Sequence, residues 1–184
     1  MVVDMNGTLP PRTVAKNEGE FWSQARNWSP DGKLLLIYIR GELAIYDPRT
    51  GKKSVVPSSK DMSGYWIDEN TILCVSPPDG TKFLTFDLRT QKWTDLATVG
   101  AIVAWEISPD GEYVYYETGG NEPKAWRLRF SDRRIELITS MKEPSRARDL
   151  GWVGDIDIAP DGSPIFTRNI GTQEIYALNL RWPK

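Results

Sequence analysis

The side chains best suited to chemistry in this sequence are carboxylates, because histidine is absent from all 184 residues and cysteine occurs once. Without histidine the chain can form no Ser-His-Asp or Cys-His catalytic set and no histidine-ligated metal site. The single cysteine, Cys74, excludes an internal disulfide and a thiolate zinc site. It stands between Leu73 and Val75, which predicts a buried and unreactive thiol.

The acidic group Asp155, Asp157 and Asp161 has the composition of a calcium loop. Such a loop also needs a glutamate that closes the site with both of its oxygens, and the sequence offers none there. Isoleucines alternate with these carboxylates as in a β-strand, so we predict no metal and no cofactor at this position. Further carboxylates are plentiful, but the sequence alone cannot place any two of them at a catalytic separation.

A basic stretch runs through the third quarter of the chain and a polar insertion that follows it. Its cationic residues are Arg127, Arg129, Arg133, Arg134, Lys142, Arg146 and Arg148. Acidic residues interleave with them, namely Asp132, Glu136, Glu143 and Asp149. We therefore predict a mixed, solvated surface, and the net charge of −2 also argues against broad nucleic-acid binding.

The elements that would position these residues are organised as an internal repeat. Ser-Pro-Asp-Gly at 29–32 recurs at 108–111 and, as Ala-Pro-Asp-Gly, at 159–162, with a degenerate copy at 66–70. Proline presets the backbone for a β-turn, aspartate bonds its own backbone, and glycine adopts a positive φ. The anchors lie 39, 40 and 51 residues apart, and the last step contains the polar insertion.

Strands surround each turn in the same order, which gives four strands per repeat. This pattern is typical of a β-propeller, an all-β fold of four-stranded antiparallel blades. We predict one domain over residues 1–184 with four blades. The predicted blades span about 20–60, 61–99, 100–140 and 150–184, and a strand at 9–15 completes the last one.

The first strand of each blade is expected to line the axis, near 24–28, 65–68, 103–107 and 154–158. Tryptophans in or beside these strands are predicted to fill the space between blades: Trp28, Trp66, Trp105 and Trp152. Because Trp28 precedes the best-preserved turn, its replacement by alanine should cost about 3–5 kcal/mol of stability. Two arrangements remain open, a closed four-bladed ring and a homodimer that forms one eight-bladed ring.

Two stretches resemble a known repeat family. Residues 28–33 read W-S-P-D-G-K and residues 45–51 read I-Y-D-P-R-T-G, which resembles the TolB-like, WD-like repeats of bacterial β-propellers. Residues 159–178 are similar to the last blade of the C-terminal propeller in acidobacterial regulators that also carry a winged-helix or kinase domain. The resemblance implies a propeller fold, and family propellers have six or more blades.

A propeller without a catalytic set predicts a non-catalytic scaffold or interaction module. We expect it to bind a protein, a peptide or a small ligand across one face or at the channel mouth. The candidate binding residues are Tyr65, Trp105, Arg148, Trp152 and Asp155. The alternatives are a lectin-like, carbohydrate-binding propeller that uses exposed aromatic rings and, more weakly, a hydrolase or lyase with a carboxylate-based site.

Targeting signals are not evident in the sequence. The N-terminal residues lack a basic segment followed by an apolar one, and no window approaches the roughly 20 apolar residues of a membrane span. A cytoplasmic location is therefore the default expectation.

Overall fold

The computed structural model describes residue 10 and residues 24–142 and 156–166, and every regular element in these ranges is a β-strand. The strands are β1 (Gln24–Trp28), β2 (Leu35–Ile39), β3 (Glu42–Asp47), β4 (Lys52–Val55), β5 (Ser63–Trp66), β6 (Thr71–Val75), β7 (Lys82–Asp87), β8 (Lys92–Thr98), β9 (Ile102–Ile107), β10 (Tyr113–Thr118), β11 (Lys124–Arg129), β12 (Ile135–Ser140), β13 (Ile156–Ile158) and β14 (Pro164–Phe166). In the described ranges no helix is long and apolar enough to cross a membrane. The predicted strand at 9–15 and the end of the fourth repeat lie outside the described residues.

The strands form three four-stranded antiparallel sheets and one hairpin. Sheet I contains β1–β4, sheet II contains β5–β8, sheet III contains β9–β12, and β13 pairs with β14. Within each sheet every strand pairs with the next one in sequence, so each sheet is a meander. This confirms the predicted all-β class and the order of four strands per repeat in the first three repeats.

The first hairpin of sheets I and III is closed by the repeated turn. In sheet I the Ser29 hydroxyl donates to the Asp31 carboxylate over 2.7 Å and accepts the Leu34 amide over 2.9 Å. Ser108 makes the corresponding two bonds in sheet III. The degenerate copy at 66–70 occupies the same place in sheet II, between β5 and β6. The repeat predicted from sequence is therefore a repeat of structure.

Sheets I and II meet through a mainly aliphatic core, called here the I/II interface. Ile72 and Cys74 face sheet I, while Leu73 between them faces sheet III, as alternation along a strand requires. The interface contains Leu36, Leu43, Val56, Trp66, Ile72, Cys74 and Phe86. Cys74 is fully buried, and this burial raises the pKa of its thiol well above the ordinary value. The prediction that this thiol is buried is confirmed.

Gly64 in β5 allows this close approach of the two sheets. A Cβ atom on Gly64 would lie 2.8 Å from the Cys74 sulfur and 2.9 Å from a Leu43 methyl carbon. Real Cβ atoms essentially never come that close to another heavy atom. Any side chain at Gly64 would therefore have to displace the Leu43 and Cys74 side chains from their present positions.

Sheets II and III meet through a core that is rich in aromatic rings, called here the II/III interface. Its fully or nearly fully buried members are Leu73, Phe83, Val114, Tyr116 and Leu128. The rings of Phe83 and Tyr116 meet edge to face, with centroids 5.3 Å apart and planes at 76°. This is a favourable geometry for aromatic pairs.

Trp66 and Trp105, on the first strands of sheets II and III, face the sheet that precedes their own. Trp66 packs against sheet I and is 4% exposed, and Trp105 packs against Phe83 of sheet II. Trp28 has the equivalent position in sheet I, where it pairs with Leu35 on the face that turns away from sheet II. It is 36% exposed, so the prediction that Trp28 is buried between blades is wrong.

Candidate ligand-binding site

Tyr65 and Trp105, two of the predicted binding residues, lie next to each other between sheets II and III. Their ring centroids are 5.0 Å apart and their planes are at 89°, so one ring edge points at the other ring face. Trp105 also contacts Phe83 edge to face, with centroids 5.8 Å apart. The structure thus joins β5 and β9 through an aromatic cluster whose geometry fixes the Trp105 ring.

A cleft of about 560 Å³ opens beside Trp105, at the end of the sheets where β5 and β9 begin. Its walls come from the start of β9, from the end of β6 and the loop that follows it, and from the segment before β5. The lining residues are Asp61, Ser63, Val75, Ser76, Pro77, Pro78, Gly80, Ile102, Val103 and Trp105. Apolar side chains predominate in this wall, and Val103 is 37% exposed.

The loop between β6 and β7 is held in place by backbone hydrogen bonds. The Gly80 amide donates to the Ser76 carbonyl over 3.0 Å, and the Ile102 amide donates to the Gly80 carbonyl over 2.9 Å. Gly80 has a φ of 63°, and a Cβ there would lie 3.2 Å from the Ile102 carbonyl oxygen. Glycine at this position therefore allows the loop to lie against the start of β9. The Pro77–Pro78 peptide bond in this loop is cis.

This loop is the part of the site that the sequence analysis missed. Residues 76–80 read Ser-Pro-Pro-Asp-Gly, which is the repeated turn with one extra proline. The repeated turns close the first hairpin of a sheet, whereas 76–80 joins the second and third strands at the opposite end. The residue types of the repeated turn are present at 76–80, but their distance from the other copies does not fit the spacing of the repeat.

The rim of the cleft carries its polar groups. Asp61 is the one charged residue among those that line it. The Asp61 amide donates to the Gly41 carbonyl over 2.7 Å, which ties this segment to the β2–β3 turn of sheet I. The Ser76 hydroxyl accepts the Lys82 amide over 3.2 Å. The rim thus combines one carboxylate with serine hydroxyls.

Charged side chains on the first strands influence one another near the cleft. Glu106 is half-buried, and burial raises its pKa, with a further contribution from the charge of Asp157 on β13. Burial likewise raises the pKa of Tyr65. The negative charge of Glu106 raises this pKa further, whereas the positive charge of Arg26 lowers it. The Nε atom of Arg26 and the Oδ1 atom of Asn27 are buried without a hydrogen-bond partner. The described first strands therefore carry both signs of charge.

Three arginines of sheet III are paired with carboxylates, as expected for a mixed surface. The Arg127 and Arg134 guanidinium groups lie 2.6 and 3.1 Å from the Glu136 carboxylate. Arg129 lies 3.3 Å from the Asp132 carboxylate. Arg127 also lines a second cleft, of about 670 Å³, between sheet III and the β13–β14 hairpin. These described guanidinium groups do not form a free cationic patch.

The remaining predicted site residues, Arg148, Trp152 and Asp155, lie outside the described residues. In the described ranges no three acidic or cysteine side chains come together as a possible metal site. The neighbours of Asp155 that are described are Asp157, which is exposed, and Asp161, whose carboxylate accepts the Ser163 amide over 2.9 Å. The Asp161 carboxylate therefore stabilises the turn in which it lies.

Three consecutive four-stranded meanders, packed face to face, define the class of fold as a β-propeller. Two pairs of first strands, β1 with β5 and β9 with β13, lie in contact. The WD40 β-propeller domain of Doa1 has the same fold, with a TM-score of 0.55 and 10% identity over 80% of this chain and 47% of that chain.

Two further structures share this fold. One is an auxiliary nutrient binding protein from Bacteroides thetaiotaomicron, with a TM-score of 0.58 and 14% identity over 81% of this chain and 36% of that protein. The other is the tricorn protease, with a TM-score of 0.56 and 16% identity over 83% of this chain and 15% of the protease. The chain thus spans less than half the length of each of these three proteins. No protein-family model and no curated protein matches the sequence.

Proposed function

We propose that this protein is a non-catalytic binding scaffold that takes a short peptide segment in the cleft between sheets II and III. The cleft itself carries the proposal. Its volume of about 560 Å³ falls in the range of roughly 300–1,000 Å³ that is typical of ligand sites. It lies where the first strands β5 and β9 begin.

The chemistry of the cleft favours a peptide with one apolar anchor residue. Val103, Trp105 and the two prolines supply the apolar part of the wall, and contacts with Tyr65 and Phe83 hold the Trp105 ring in place. A rigid wall loses little conformational entropy when a ligand binds. Asp61 and the serine hydroxyls at the rim can pair with peptide amides or with a basic side chain. An apolar side chain would therefore fill the cleft while the peptide backbone bonds at the rim.

The same lining argues against catalysis in the cleft. General acid–base catalysis relies on positioned titratable side chains, and Asp61 is the one ionisable side chain among the lining residues. The Ser76 hydroxyl accepts the amide of Lys82. Amide side chains, which bind sugar hydroxyls well, are also missing from this wall. The lectin-like and carboxylate-enzyme alternatives thus gain no support from this cleft.

The proposal also covers how the sheets are arranged as blades along the chain. We place the three sheets and the β13–β14 hairpin as consecutive blades of one TolB-like, WD-like propeller domain over residues 1–184. The shared Ser-Pro-Asp-Gly turns and the contacts between first strands support this placement. Because Arg127, Arg129 and Arg134 of sheet III are paired with carboxylates, we expect the partner to be a protein or peptide rather than a nucleic acid.

Selection of phage-displayed random peptides on the protein tests the proposal. We expect enriched peptides to share an apolar residue and to bind with micromolar dissociation constants in isothermal titration. Val103→Asp places a charge in the cleft at an exposed position and should weaken binding by about tenfold or more. Val55→Asp is the matched control, because Val55 is 55% exposed on β4, away from the cleft.

Three outcomes of these binding experiments distinguish the peptide-binding proposal from its alternatives. Peptides that bind the wild type and Val55→Asp equally, but bind Val103→Asp more weakly, would support the proposal. Peptides that bind Val103→Asp as tightly as the wild type would overturn it. On a glycan array, binding that Val103→Asp abolishes would instead favour the carbohydrate-binding alternative.

A further inference from the structure

The outer strands of the three sheets differ in what they present at their free edges. In the described part of the chain β4, β8 and β12 each pair with one neighbour, so each exposes a row of unpaired backbone groups. Proteins protect such edges with charged residues, above all lysine, because an uncharged edge can pair with another strand. The residues on each edge therefore indicate whether it is protected.

Two of the edges are protected by charge. β4 exposes Lys52 and Lys53 on a strand of four residues, all of which are exposed. β8 exposes Lys92 and Asp95. A second copy of β4 laid antiparallel beside the first would bring four lysines together in one short patch. The β4 edge therefore disfavours pairing with itself. On β8 the Asp95 carboxylate is paired with Lys82 at 2.9 Å, and Lys92 is the lysine that protects this edge.

The edge at β12 lacks this protection. Ile135 is 40% exposed and Leu137 is 53% exposed, and the exposed residues after them are Thr139 and Ser140. The single charged residue of the strand, Glu136, is held by the Arg127 guanidinium at 2.6 Å. β12 thus offers an uncharged, partly apolar edge.

The apolar face of sheet III continues to this edge. Ile135 pairs with Leu128 and Leu137 pairs with Trp126, so these four side chains share one face of the sheet. Leu128 is fully buried in the II/III interface, whereas Leu137 at the edge is more than half exposed. An incoming strand at β12 would therefore extend an apolar face that already exists.

We propose that two copies of this chain associate by antiparallel pairing of their β12 strands about a two-fold axis at Leu137. In this register Leu137 faces Leu137 of the second copy, and Ile135 faces Thr139. Glu136 then stands opposite Ile138, so that no like charges oppose each other. The two blades form one continuous eight-stranded sheet, which removes both free edges.

Sedimentation equilibrium tests this proposal on the whole chain. At about 100 μM we expect a mass twice the chain mass of 20.9 kDa, with reversible dissociation on dilution. Leu137→Lys restores the protection that the other edges carry and should raise the dissociation constant by at least about tenfold. Val55→Lys, at a similarly exposed apolar residue on β4, is the matched control and should leave dimerisation unchanged.

A second variant guards against misfolding of the first. Thr139→Lys alters the same strand at another exposed residue and should weaken association in the same way, with circular dichroism and unfolding midpoint confirming the fold of both variants. A wild-type protein that stays monomeric at about 100 μM would overturn the proposal. A dimer that resists Leu137→Lys and Thr139→Lys would also overturn it and would place the contact elsewhere, as in a shared eight-bladed ring.

Discussion

The I/II and II/III interfaces use strands in the same order, yet one is closed and the other opens into a cleft. The I/II interface is filled mainly by aliphatic side chains and Cys74, and the two sheets close over Gly64. The II/III interface is filled by rings, including Phe83 and Trp105, and ends at a cleft. Neighbouring repeats of one fold can therefore be specialised, one for packing and the next for binding.

The difference begins at one position of the first strand. Trp66 and Trp105 are equivalent, so Gly64 in β5 corresponds to Val103 in β9, two residues earlier. Glycine at this position lets a leucine of the preceding sheet approach the strand. Valine at the same position projects into the gap and becomes part of the cleft wall.

The loops between second and third strands add to this difference. In sheet I two residues, Arg40 and Gly41, join β2 to β3 in a tight turn. In sheet II the longer loop over 76–81 joins β6 to β7 and supplies the two prolines of the cleft. A short loop leaves an interface closed, and a longer one builds a wall.

The largest expected effects come from removing one buried ring from each interface and comparing the two losses of stability. Phe83→Ala and Phe86→Ala each remove a buried ring, one from each interface, and each should cost about 3–5 kcal/mol in urea unfolding. Phe83→Ala should also shift the indole N–H resonance of Trp105, because the two rings are in contact. Phe86→Ala should leave that resonance in place. A loss below about 1 kcal/mol for either variant would contradict the description of that core.

A smaller effect should follow from filling the position that closes the I/II interface. Gly64→Ala overpacks the contact with Leu43 and Cys74 and should cost about 1–3 kcal/mol. It should also speed reaction of Cys74 with a thiol reagent in the native protein. Gly119→Ala is the matched control, because its Cβ would approach only a methyl group of the partly exposed Val103, at 2.8 Å. Equal losses for both variants would show that Gly64 has no special role.

The aromatic contact at the cleft should contribute less than either core. Tyr65→Leu keeps an apolar side chain but removes the edge-to-face contact with Trp105, and it should cost about 0.5–1.5 kcal/mol beyond the change in buried area. A double-mutant cycle with Trp105→Leu isolates this term. A coupling energy near zero would mean that the two rings are neighbours without a stabilising interaction.

The smallest expected effect concerns pH. Burial raises the pKa of Glu106 above its ordinary 4.5, so the folded protein binds a proton more readily than the unfolded chain and ionisation of Glu106 opposes folding. Glu106→Gln keeps an oxygen that can accept the Ile107 amide and should raise stability at pH 7. This gain should shrink as pH falls through the raised pKa toward 4.5. Urea unfolding at both pH values measures it, and an equal gain at both would refute the assignment.

Local rules predicted the strands and turns well. The first strands were expected near 24–28, 65–68 and 103–107, and β1, β5 and β9 lie there. These positions depend on alternation and on turn residues, which are read within a few neighbours along the chain. Each strand therefore carried enough information by itself.

Position relative to another sheet was harder to predict. Trp28 and Trp66 are equivalent in the repeat, yet Trp28 is 36% exposed and Trp66 is 4% exposed. Periodicity predicts which face of a sheet a side chain occupies, but not what lies against that face. The contact of Tyr65 with Trp105 could likewise not be predicted from the sequence, because the two residues lie on different sheets and meet only where these sheets pack together. The loop at 76–80 was missed because its residue types match the turn that joins the first and second strands of a repeat, whereas this loop joins the second and third strands.

The meander topology has a consequence for how the chain folds during synthesis. Strands that pair only with sequence neighbours form contacts of low contact order, which form quickly. Each sheet can therefore assemble its hairpins soon after it leaves the ribosome, but its second face is covered only when the next repeat emerges. At roughly 5–20 residues per second, a repeat of about 40 residues takes roughly 2–8 seconds to arrive. During that interval the side of sheet II that carries Leu73 and Phe83 faces solvent. The pace of translation across sheet III thus sets how long a nascent chain exposes its most aromatic core.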